Sequence, residues 1–432
     1  MNINKMQDAI MNLNGGKTMI YAAVMGHGVV GSGVLEVFNK NHKSISEKAG
    51  EELAIKYILD LREFPELPYH EKFIKNFELI EQDPEIRIVV EVMGGLTPAY
   101  DYVCRCLKAG KSVITSNKEL VAAFGSELLE LALKNNVNFL FEASVGGGIP
   151  IIRPISQCLA ANEIKEIVGI LNGTTNFILT KMIHQNMPFE DALALAQKLG
   201  YAEHNPAADV EGHDACRKIC ILASLAFGYH VYPKDVHTEG ITNLTLEDVK
   251  YAAAWGGVIK LIGRVKRLDD GRLTAMVCPA FISSSNQLAN VDDVFNGIMV
   301  RGDAIGDVVF YGRGAGKLPT ASAVVADIID AAKHLKARKF LYWLPAKENY
   351  ICSYLDAPTI FFIRIKTHSR SAAIKAADGL FGKVNEIIFP DMLGDEAAFI
   401  TPELPEGDLE RALAAYETFD YKIVSKIRVL NL

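Results

Sequence analysis

The chain has 432 residues, half of them hydrophobic, and a formal net charge of −7; a length of this order predicts two or three domains. The mild charge is mixed in sign along the sequence, with no block of lysines or arginines, which argues against nucleic acid as a partner. No apolar run reaches the roughly 20 residues that span a bilayer, the N-terminus has no secretory core, and the seven cysteines form no disulfide framework, so we expect a cytoplasmic protein.

The first predicted strand, at 18–25, leads into a glycine turn and then a helix. The turn reads GHGVVG, and its cofactor-binding candidates are Gly26, Gly28, Val29, Val30 and Gly31. A GxGxxG sequence between a strand and a helix is the fingerprint of dinucleotide binding, because glycines let a pyrophosphate approach the N-terminus of the helix. A tight strand-to-helix turn without a ligand is the alternative. The turn favours NAD or NADP as the cofactor.

The second predicted strand, at 54–59, is followed by the acidic residue Asp60. An acidic side chain at this point holds the ribose hydroxyls of NAD. Arg62, two residues further along, could instead hold the 2′-phosphate of NADP. The pattern therefore favours NAD without excluding NADP, and a simple turn residue at Asp60 is the alternative.

Three further apolar runs between residues 87 and 142 alternate with helical patterns. Such alternation predicts an α/β fold with a parallel, Rossmann-type sheet that helices cover on both faces. Gly94 and Gly95 follow one of these strands, where glycines let a nicotinamide ribose approach. Lys118 follows another, where a cation could face nicotinamide and substrate. A surface lysine that starts a helix is the alternative.

The segment EASVGGGIP, at 142–150, ends the last strand of this predicted sheet. Glycines there leave carbonyl oxygens free to turn inward, and hard oxygen ligands favour a monovalent or alkaline-earth ion over zinc. The ten histidines are never paired at zinc-ligand spacing, which argues against a catalytic transition metal. A flexible hinge between two domains is an equal alternative for this segment.

From there to about residue 316, longer helices and separated strands predict a second domain of the α+β class. Its turn NGTTN, at 172–176, lies between a strand and a helix. Short polar side chains and helix-start N–H groups there suit a small carboxylate, and helix capping is the alternative.

The segment at 200–218 crowds four acidic residues and one lysine in front of an apolar helix: Glu203, Asp209, Glu211, Asp214 and Lys218. Asp214 and Lys218 are four residues apart, so they lie on one face if the helix begins near His213. They are either a solvated helix start with a surface ion pair or groups aimed into a pocket.

After residue 312 the sequence GRGAGK opens a long predicted helix at 317–335, and a basic, aromatic linker follows. The remaining predicted elements, from 359 to 430, alternate as βαββαβ, which is the ferredoxin-like arrangement. We therefore expect three domains. They are residues 1–145 with helix 317–335 packed back on them, residues 146–316, and residues 350–432.

Seven segments, in order between residues 18 and 335, together resemble the homoserine dehydrogenases. They are GHGVVG, VEVMGG, TSNKELVA, EASVGGGIPII, GILNGTTNFIL, GYAEHNPAADVEGHDACRK and YGRGAGKLPTASAVVADIIDAA. The resemblance implies the reversible NAD- or NADP-dependent reduction of L-aspartate 4-semialdehyde to L-homoserine, a step toward threonine, isoleucine and methionine. The chain length leads us to expect the monofunctional form, without an aspartate kinase region, and a homodimer or homotetramer.

The resemblance also implies roles for matching residues. Lys218 matches the lysine regarded as the proton donor, and Lys118 matches the lysine between cofactor and substrate. Glu203 and Asp214 match acidic residues that hold the substrate, and Gly316 matches a glycine that contacts the cofactor. The further implied substrate contacts are Gly173, Thr174 and Tyr201, and the implied sodium ligands, mostly through backbone carbonyls, are Glu142, Val145, Gly147 and Ile149.

The residue types suit this chemistry. Hydride transfer to an aldehyde leaves an alkoxide, which needs a nearby cation and a proton. An isolated lysine has a pKa of about 10.4, so we expect burial and a second ammonium, that of Lys118, to lower the pKa of Lys218. Glu211 stands where we expect aspartate or asparagine, and neither it nor Asp209 receives a role.

The C-terminal segment resembles the ACT module in its order of elements. ACT ligand sites use a turn with glycine after the first strand, whereas this chain has THSRS at 367–371. That departure argues against threonine as an effector. We expect a regulatory or a dimerising role for this segment.

Overall fold

The computed structural model describes residues 19–390, 392–419 and 421–432. The first 18 residues, in which we found no secretory core, lie outside the described residues. The chain divides into two compact units. One contains the residues up to Pro150 together with Ala315–Tyr342, and the other contains Ile151–Gly314 and Trp343–Leu432.

The elements are numbered in chain order. The helices are α1 (Val29–Lys40), α2 (His42–Ala49), α3 (Glu78–Gln82), α4 (Ala99–Lys108), α5 (Lys118–Lys134), α6 (Gly173–Gln185), α7 (Phe189–Lys198), α8 (Ala207–Val210), α9 (His213–Phe227), α10 (Leu246–Trp255), α11 (Lys317–Lys333), α12 (Arg370–Phe381) and α13 (Glu406–Glu417). The strands are β1 (Met19–Met25), β2 (Glu52–Leu59), β3 (Phe73–Ile74), β4 (Ile86–Glu91), β5 (Ser112–Thr115), β6 (Phe139–Leu140), β7 (Ile164–Ile170), β8 (His237–Thr238), β9 (Gly257–Arg267), β10 (Leu273–Ser283), β11 (Phe295–Gly302), β12 (Gly306–Arg313), β13 (Pro358–Lys366), β14 (Asn385–Glu386), β15 (Glu396–Ile400), β16 (Leu404–Pro405) and β17 (Lys422–Leu430).

The first unit is built on a sheet with the strand order β3-β2-β1-β4-β5-β6. All neighbouring strands in it are parallel. This is the order of a Rossmann-type sheet, in which ligands bind at the carboxyl ends of β1 and β4, where the strand order reverses. The predicted α/β class is confirmed, and the predicted cofactor residues follow these strands.

The core of the first unit contains apolar residues of β1, α1 and α11. Val24, Val34 and Val324 belong to one buried cluster, and burying each such side chain contributes roughly 1.5–3 kcal/mol. A Cβ atom on Gly33 would lie 2.8 Å from the carbonyl oxygen of Lys317. Only glycine therefore lets α1 and α11 approach this closely, and α11 becomes part of the first unit although it is distant in sequence.

The second unit is built on a mixed sheet with the order β12-β11-β7-β9-β10-β17-β13-β15-β14. The neighbouring strands from β12 to β10 are antiparallel. β17 then pairs with β10 in parallel, through Ala280, Phe281 and Ile282. The last strand of the chain therefore lies inside the sheet and joins the C-terminal segment to the strands that precede it.

The C-terminal segment has the element order β13-α12-β14-β15-α13-β17, with the two-residue strand β16 before α13. Its core consists of apolar and aromatic side chains from these strands and helices, among them Phe361, Phe399, Leu409 and Tyr416. This is the βαββαβ order predicted from the sequence. Because β17 also pairs with β10, the segment shares one sheet with the rest of its unit.

Within the described ranges, no helix combines the length and the apolar character that crossing a membrane requires. All seven cysteines lie in those ranges as free thiols, and Cys158 is the exposed one.

Candidate active site

Glycine is favoured at each of the three glycine positions of the GHGVVG turn for a different structural reason. Gly26 has φ +102°, a conformation that favours glycine. A Cβ atom on Gly31 would lie 2.0 Å from the carbonyl oxygen of Gly26, so the turn closes only with glycine there. A Cβ atom on Gly28 would meet nothing within 4 Å, and α1 starts after Gly28 with no side-chain cap. The start of α1 therefore offers open space and backbone donors, which suits a pyrophosphate.

A cleft of about 470 Å³ opens beside this turn, between the ends of β1, β2 and β4. It brings together four of the predicted cofactor residues, Gly26, Gly28, Asp60 and Arg62. His27, between the two glycines, also lines the cleft and is buried. The strand order places this cleft at the reversal point of the sheet, where a dinucleotide is expected.

Asp60 and Arg62, predicted as alternative ribose-binding groups, form an ion pair with each other. Oδ1 of Asp60 accepts hydrogen bonds from the backbone N–H and Nε of Arg62, both at 3.0 Å. Oδ2 accepts from Nη2 of Arg62 at 2.9 Å and from the backbone N–H of His27 at 2.8 Å. The Arg62 guanidinium holds the pKa of Asp60 well below its usual range. Because the arginine is 61% exposed, the pair presents a carboxylate and a cation together, which suits NAD and NADP alike.

Glu91, which sequence reasoning missed, fixes the glycines that follow β4. It is fully buried, and its Oε1 accepts from the backbone N–H groups of Met93 at 2.8 Å and Gly94 at 3.3 Å. Its Oε2 accepts from Thr115 at 2.6 Å, and burial raises the pKa of its carboxyl group. A glutamate directly after the apolar run Ile88-Val89-Val90 is the sequence signal that could have identified it.

Lys118 is the first residue of α5, and the residue before it organises this sheet edge. The side chain of Asn117 caps α5 by accepting from the N–H of Leu120 at 3.1 Å. Its amide donates to the carbonyl of Gly95 at 2.6 Å, and Gly95 has φ +67°. The predicted residues Gly94, Gly95 and Lys118 are therefore held at the carboxyl ends of two adjacent parallel strands, β4 and β5.

The residues predicted to bind sodium lie in one tight, mostly buried turn. Glu142, Val145, Gly147 and Ile149 are all buried, and the N–H of Ile149 donates to the carbonyl of Gly146 at 2.8 Å. A Cβ atom on Gly146 would lie 2.3 Å from the carbonyl oxygen of Ile149, so the turn requires glycine. The four predicted ligand residues lie within one short segment of the first unit. The ion itself stays a prediction.

In the second unit, Asp214 and Lys218 form a buried ion pair at the start of α9. Oδ2 of Asp214 lies 2.7 Å from Nζ of Lys218, and the two side chains are 7% and 9% exposed. Nζ of Lys218 also donates to the carbonyl of Leu171 at 2.8 Å. α9 begins at His213, so both groups lie on one helix face. A buried pair costs desolvation energy unless further hydrogen bonds satisfy it, and this pair has them.

Asn172 joins this pair to the NGTTN turn. Its Oδ1 caps α6 by accepting from the N–H of Thr175 at 2.8 Å. Its amide donates to Oδ1 of Asp209 at 2.7 Å and to Oδ2 of Asp214 at 2.9 Å. Asp209, which received no role from the sequence, is thus part of the same hydrogen-bonded cluster as Lys218. Capping and positioning are both performed by one side chain.

The other predicted substrate residues, and Glu211, lie in different environments. Thr174 donates its hydroxyl to the carbonyl of Tyr201 at 2.6 Å. A Cβ atom on Gly173 would lie 2.8 Å from the carbonyl of Val294, so glycine is required there. Glu203 is exposed. Glu211, also exposed, is paired with His213 at 3.1 Å.

Gly316 belongs to the first unit, directly before α11. It has φ +121°, a conformation that an L-residue rarely adopts. The backbone of the turn Gly314-Ala315-Gly316 therefore depends on glycine at position 316.

Comparison with known proteins identifies the family. The family model for homoserine dehydrogenase matches residues 150–329. A second model, for the NAD binding domain of homoserine dehydrogenase, matches residues 26–142. The two matches cover strands β2 to β6 of the Rossmann-type sheet and the segment that carries Asp214 and Lys218.

Similar proteins agree along almost the whole chain. A homoserine dehydrogenase from Neisseria gonorrhoeae is 37% identical over 428 residues, which cover 95% of this chain and 98% of the relative. The crystal structure of a homoserine dehydrogenase from Thiobacillus denitrificans has a TM-score of 0.89 at 35% identity and covers 96% of this chain and 99% of its own. A hyperthermophilic archaeal homoserine dehydrogenase mutant in complex with NADPH has a TM-score of 0.62 at 28% identity, over 73% of this chain and 98% of its own. The predicted dinucleotide cofactor is confirmed, and the chain belongs to the homoserine dehydrogenase family.

Proposed function

We propose that the chain interconverts L-aspartate 4-semialdehyde and L-homoserine with Lys218 as the group that gives and takes the proton. The observation that carries this assignment is the buried cluster around its ammonium, which is held by Asp214 at 2.7 Å and by the carbonyl of Leu171 at 2.8 Å. NADH or NADPH supplies the hydride when bound. Reduction of the aldehyde leaves an alkoxide oxygen, and a fixed ammonium both stabilises that charge and donates the proton.

The cluster fixes the position of the proposed acid. A lysine ammonium has three N–H donors, and the described contacts of Lys218 use two of them. The third can point at a substrate oxygen. In the oxidation direction, the neutral amine would take the hydroxyl proton, and Asp214 would stabilise the ammonium that forms. General acid–base catalysis of this kind contributes a factor of about 10²–10⁴.

The substrate is an amino acid, so both of its charged ends need partners. We assign its ammonium to the carboxylate of Glu203, and we assign Asp214, which is bonded to Lys218, to the hydroxyl end of the substrate. Its carboxylate fits the first turn of α6, where Gly173 and Thr174 carry helix-start N–H groups. The Thr174 hydroxyl is already bonded to Tyr201, so the backbone, rather than this hydroxyl, would bind the carboxylate.

The cofactor is assigned to the cleft of the first unit. The pyrophosphate would lie at the start of α1, on the open side of Gly28, and the adenosine ribose beside Asp60 and Arg62. Gly94, Gly95, Lys118 and Gly316 are further proposed contacts. The turn at 142–149 is proposed to bind sodium through its carbonyl oxygens, as hard-ligand chemistry favours.

We further propose a cytoplasmic homodimer or homotetramer in which residues 350–432 form an ACT-like regulatory or dimerising module. In that module, the loop after β13 is closed by its own hydrogen bonds. The hydroxyl of Thr367 donates to the carbonyl of Ser369 at 3.2 Å, and the N–H of Ser369 donates back at 3.0 Å. This closure argues against binding of threonine at that loop.

Steady-state kinetics of the purified protein test the assignment. We expect homoserine to drive formation of NADH or NADPH, and we expect added threonine to leave the rate unchanged. Varying sodium at constant ionic strength separates an ion site from a salt effect. A homoserine-dependent rate no higher than that of buffer would refute the activity, and inhibition by threonine would contradict the expectation that the C-terminal module does not bind threonine.

A further inference from the structure

A buried arginine of the last strand makes ionic contacts with the middle of its unit. Arg428, on β17, is 1% exposed. Its Nε donates to Oε2 of Glu406 at 3.0 Å, its Nη2 is also bonded to Glu406, and its Nη1 donates to Oε2 of Glu239 at 2.8 Å. His237 completes the cluster, with Nε2 2.6 Å from Oε1 of Glu239. A buried guanidinium is stable only when carboxylates pair with it, so this cluster strongly favours one arrangement.

The segment that contains Glu239 is closely packed against the turn between α8 and α9. The N–H of Ile241 donates to the carbonyl of Val210 at 2.8 Å. A Cβ atom on Gly240 would lie 2.2 Å from that same carbonyl oxygen, and one on Gly212 would lie 3.2 Å from the carbonyl of Glu239. The backbone of residues 239–241 is therefore in direct contact with the backbone of the turn at 210–212. The N–H of Glu239 also donates to the carbonyl of Val277 on β10 at 2.8 Å, and a displacement of the backbone at 239–240 would shift the turn at 210–212.

The turn at 210–212 also sets the positions of the residues around Lys218. Asp209 lies on α8, directly before the last residue of that helix, and Gly212 directly precedes the first residue of α9. The amide of Asn172 bonds to Asp209 and to Asp214 at 2.7 and 2.9 Å, and Asp214 is bonded to Lys218 at 2.7 Å. A continuous series of contacts thus runs from the C-terminal strand to the proposed proton donor.

We propose that Arg428 is a positioning residue for the reaction, which it serves by holding Glu239 and, through Gly240, the turn that sets Asp209, Asp214 and Lys218. This role rests on the function proposed for Lys218. It also explains why the C-terminal strand is built into the sheet beside β10 instead of lying in a detached module. The C-terminal segment thereby acts on the rate of the reaction without contributing a group that touches substrate.

A second buried arginine supplies a matched control. Arg364, on β13, is 3% exposed and pairs with Asp248 at 3.1 Å and Glu396 at 3.3 Å. Its carboxylate partners lie on α10 and β15, and its Nη2 donates to the hydroxyl of Thr245, directly before α10, at 3.0 Å; none of these partners is a residue of the turn at 210–212. Arg428→Lys and Arg364→Lys therefore each replace a buried guanidinium in the same C-terminal segment. Only Arg428→Lys should weaken the proposed series of contacts from β17 to Lys218.

Hydrogen exchange without substrate tests the positioning directly, independently of what Lys218 does. We expect Arg428→Lys and Glu239→Gln to speed amide exchange in residues 207–218, and Arg364→Lys to leave that exchange unchanged. Glu239→Gln keeps the side-chain volume at a position that is one third exposed, so this variant decides the question if Arg428→Lys does not fold.

Kinetics supply the second readout. We expect kcat for homoserine oxidation to fall roughly 10- to 100-fold in Arg428→Lys and Glu239→Gln, with the Kd for the dinucleotide unchanged. Faster exchange with unchanged kcat would retain the structural link but overturn the positioning role of Arg428 in the reaction, and it would leave the role of Lys218 to the Lys218→Met variant. Equal exchange and equal kcat in Arg428→Lys, Arg364→Lys and the wild type would overturn the proposal.

Discussion

The ammonium of Lys218 is the residue-scale feature on which the proposed chemistry depends. Lys218→Met keeps the length of the side chain and removes the charge and the proton. We expect kcat to fall by a factor on the order of 10²–10⁴. The Kd for NADH or NADPH should stay unchanged, because the cofactor cleft is lined by residues of the first unit alone. Steady-state rates and a fluorescence titration of the reduced cofactor measure the two quantities.

Lys260 offers the control for this substitution. It is also buried in the second unit, where its Nζ lies 3.1 Å from Oδ1 of Asp292 and 2.6 Å from the carbonyl of Val291. Removing one partner of a buried pair costs about 3–5 kcal/mol, so Lys218→Met should lower the melting temperature. Lys260→Met should lower it by less, because the side chain of its partner Asp292 is 37% exposed and solvent screens that pair. Only Lys218→Met should remove turnover. Full activity in Lys218→Met, or equal loss in both variants, would contradict the assigned role.

At this scale, local sequence spacing predicted only part of the site. The i,i+4 spacing of Asp214 and Lys218 placed them on one helix face, and the structure has them there. The bridge through Asn172 could not be predicted, because its partners are 37 and 42 residues away. Its local role as a helix cap was visible, since a cap depends on the next three residues, whereas the tertiary role depends on how α6, α8 and α9 pack.

The glycine turn between β1 and α1 shows, at the scale of an element, how two similar glycines differ. Gly28→Ala adds a methyl group where nothing lies within 4 Å, and Gly31→Ala adds one 2.0 Å from a carbonyl oxygen. We expect Gly31→Ala to destabilise the first unit by roughly 1–3 kcal/mol or more through overpacking. We expect Gly28→Ala to fold normally and to raise the Kd for the dinucleotide about tenfold, a loss of about 1.4 kcal/mol.

Thermal unfolding and a cofactor titration of both variants separate the two effects. Unchanged cofactor affinity in folded Gly28→Ala would show that the pyrophosphate does not approach this residue. Equal melting temperatures for Gly31→Ala and the wild type would show that the turn can relax around the new methyl group.

The contact of Glu239, directly after β8, with Arg428 on β17 carries a pH dependence. Although burial opposes it, hydrogen bonds from His237 and Arg428 lower the pKa of Glu239 from 4.5 to about 2. A carboxyl group whose pKa is lower in the folded state stabilises that state above its unfolded pKa, and this contribution is lost as the pH falls through the folded pKa. Glu239→Gln should therefore lower the free energy of unfolding by about 1–2 kcal/mol at neutral pH, a value reduced for its exposed third.

The difference between Glu239→Gln and the wild type should shrink as the pH falls from 4.5 toward 2. Denaturant unfolding at a series of pH values measures it. A difference that stays constant across that range would mean that ionisation of Glu239 does not contribute to stability.

The order of elements was more predictable than their pairing. The alternation of apolar runs with helical patterns predicted the parallel sheet, and the order βαββαβ was predicted for the C-terminal segment. Both predictions were possible because each element is recognised from a short local stretch of sequence. The parallel pairing of β17 with β10 joins strands about 150 residues apart, and nothing in the two apolar sequences distinguishes this partner from a free edge. The contact of Arg428 with Glu239, 189 residues away, follows from that same pairing.

At the scale of the whole molecule, the chain is divided into two compact units that are each discontinuous in sequence. The described lining of the cofactor cleft belongs to the first unit alone. A ligand that binds only the folded state stabilises it by about 2.7 kcal/mol at 100 times its Kd. We therefore expect saturating NADPH to slow hydrogen exchange chiefly in residues 19–150 and 315–342.

Gly28→Ala is the control for this prediction, because at the same concentration of NADPH its lower affinity should reduce the protection in the first unit. The second unit carries its own sheet and its own buried clusters, so cofactor binding to the first unit does not by itself stabilise it. If peptides from β7, β9 and β10 gain the same protection as peptides from β1 and β4, the two units unfold as one cooperative body, and the cofactor stabilises the whole enzyme instead of the unit that binds it.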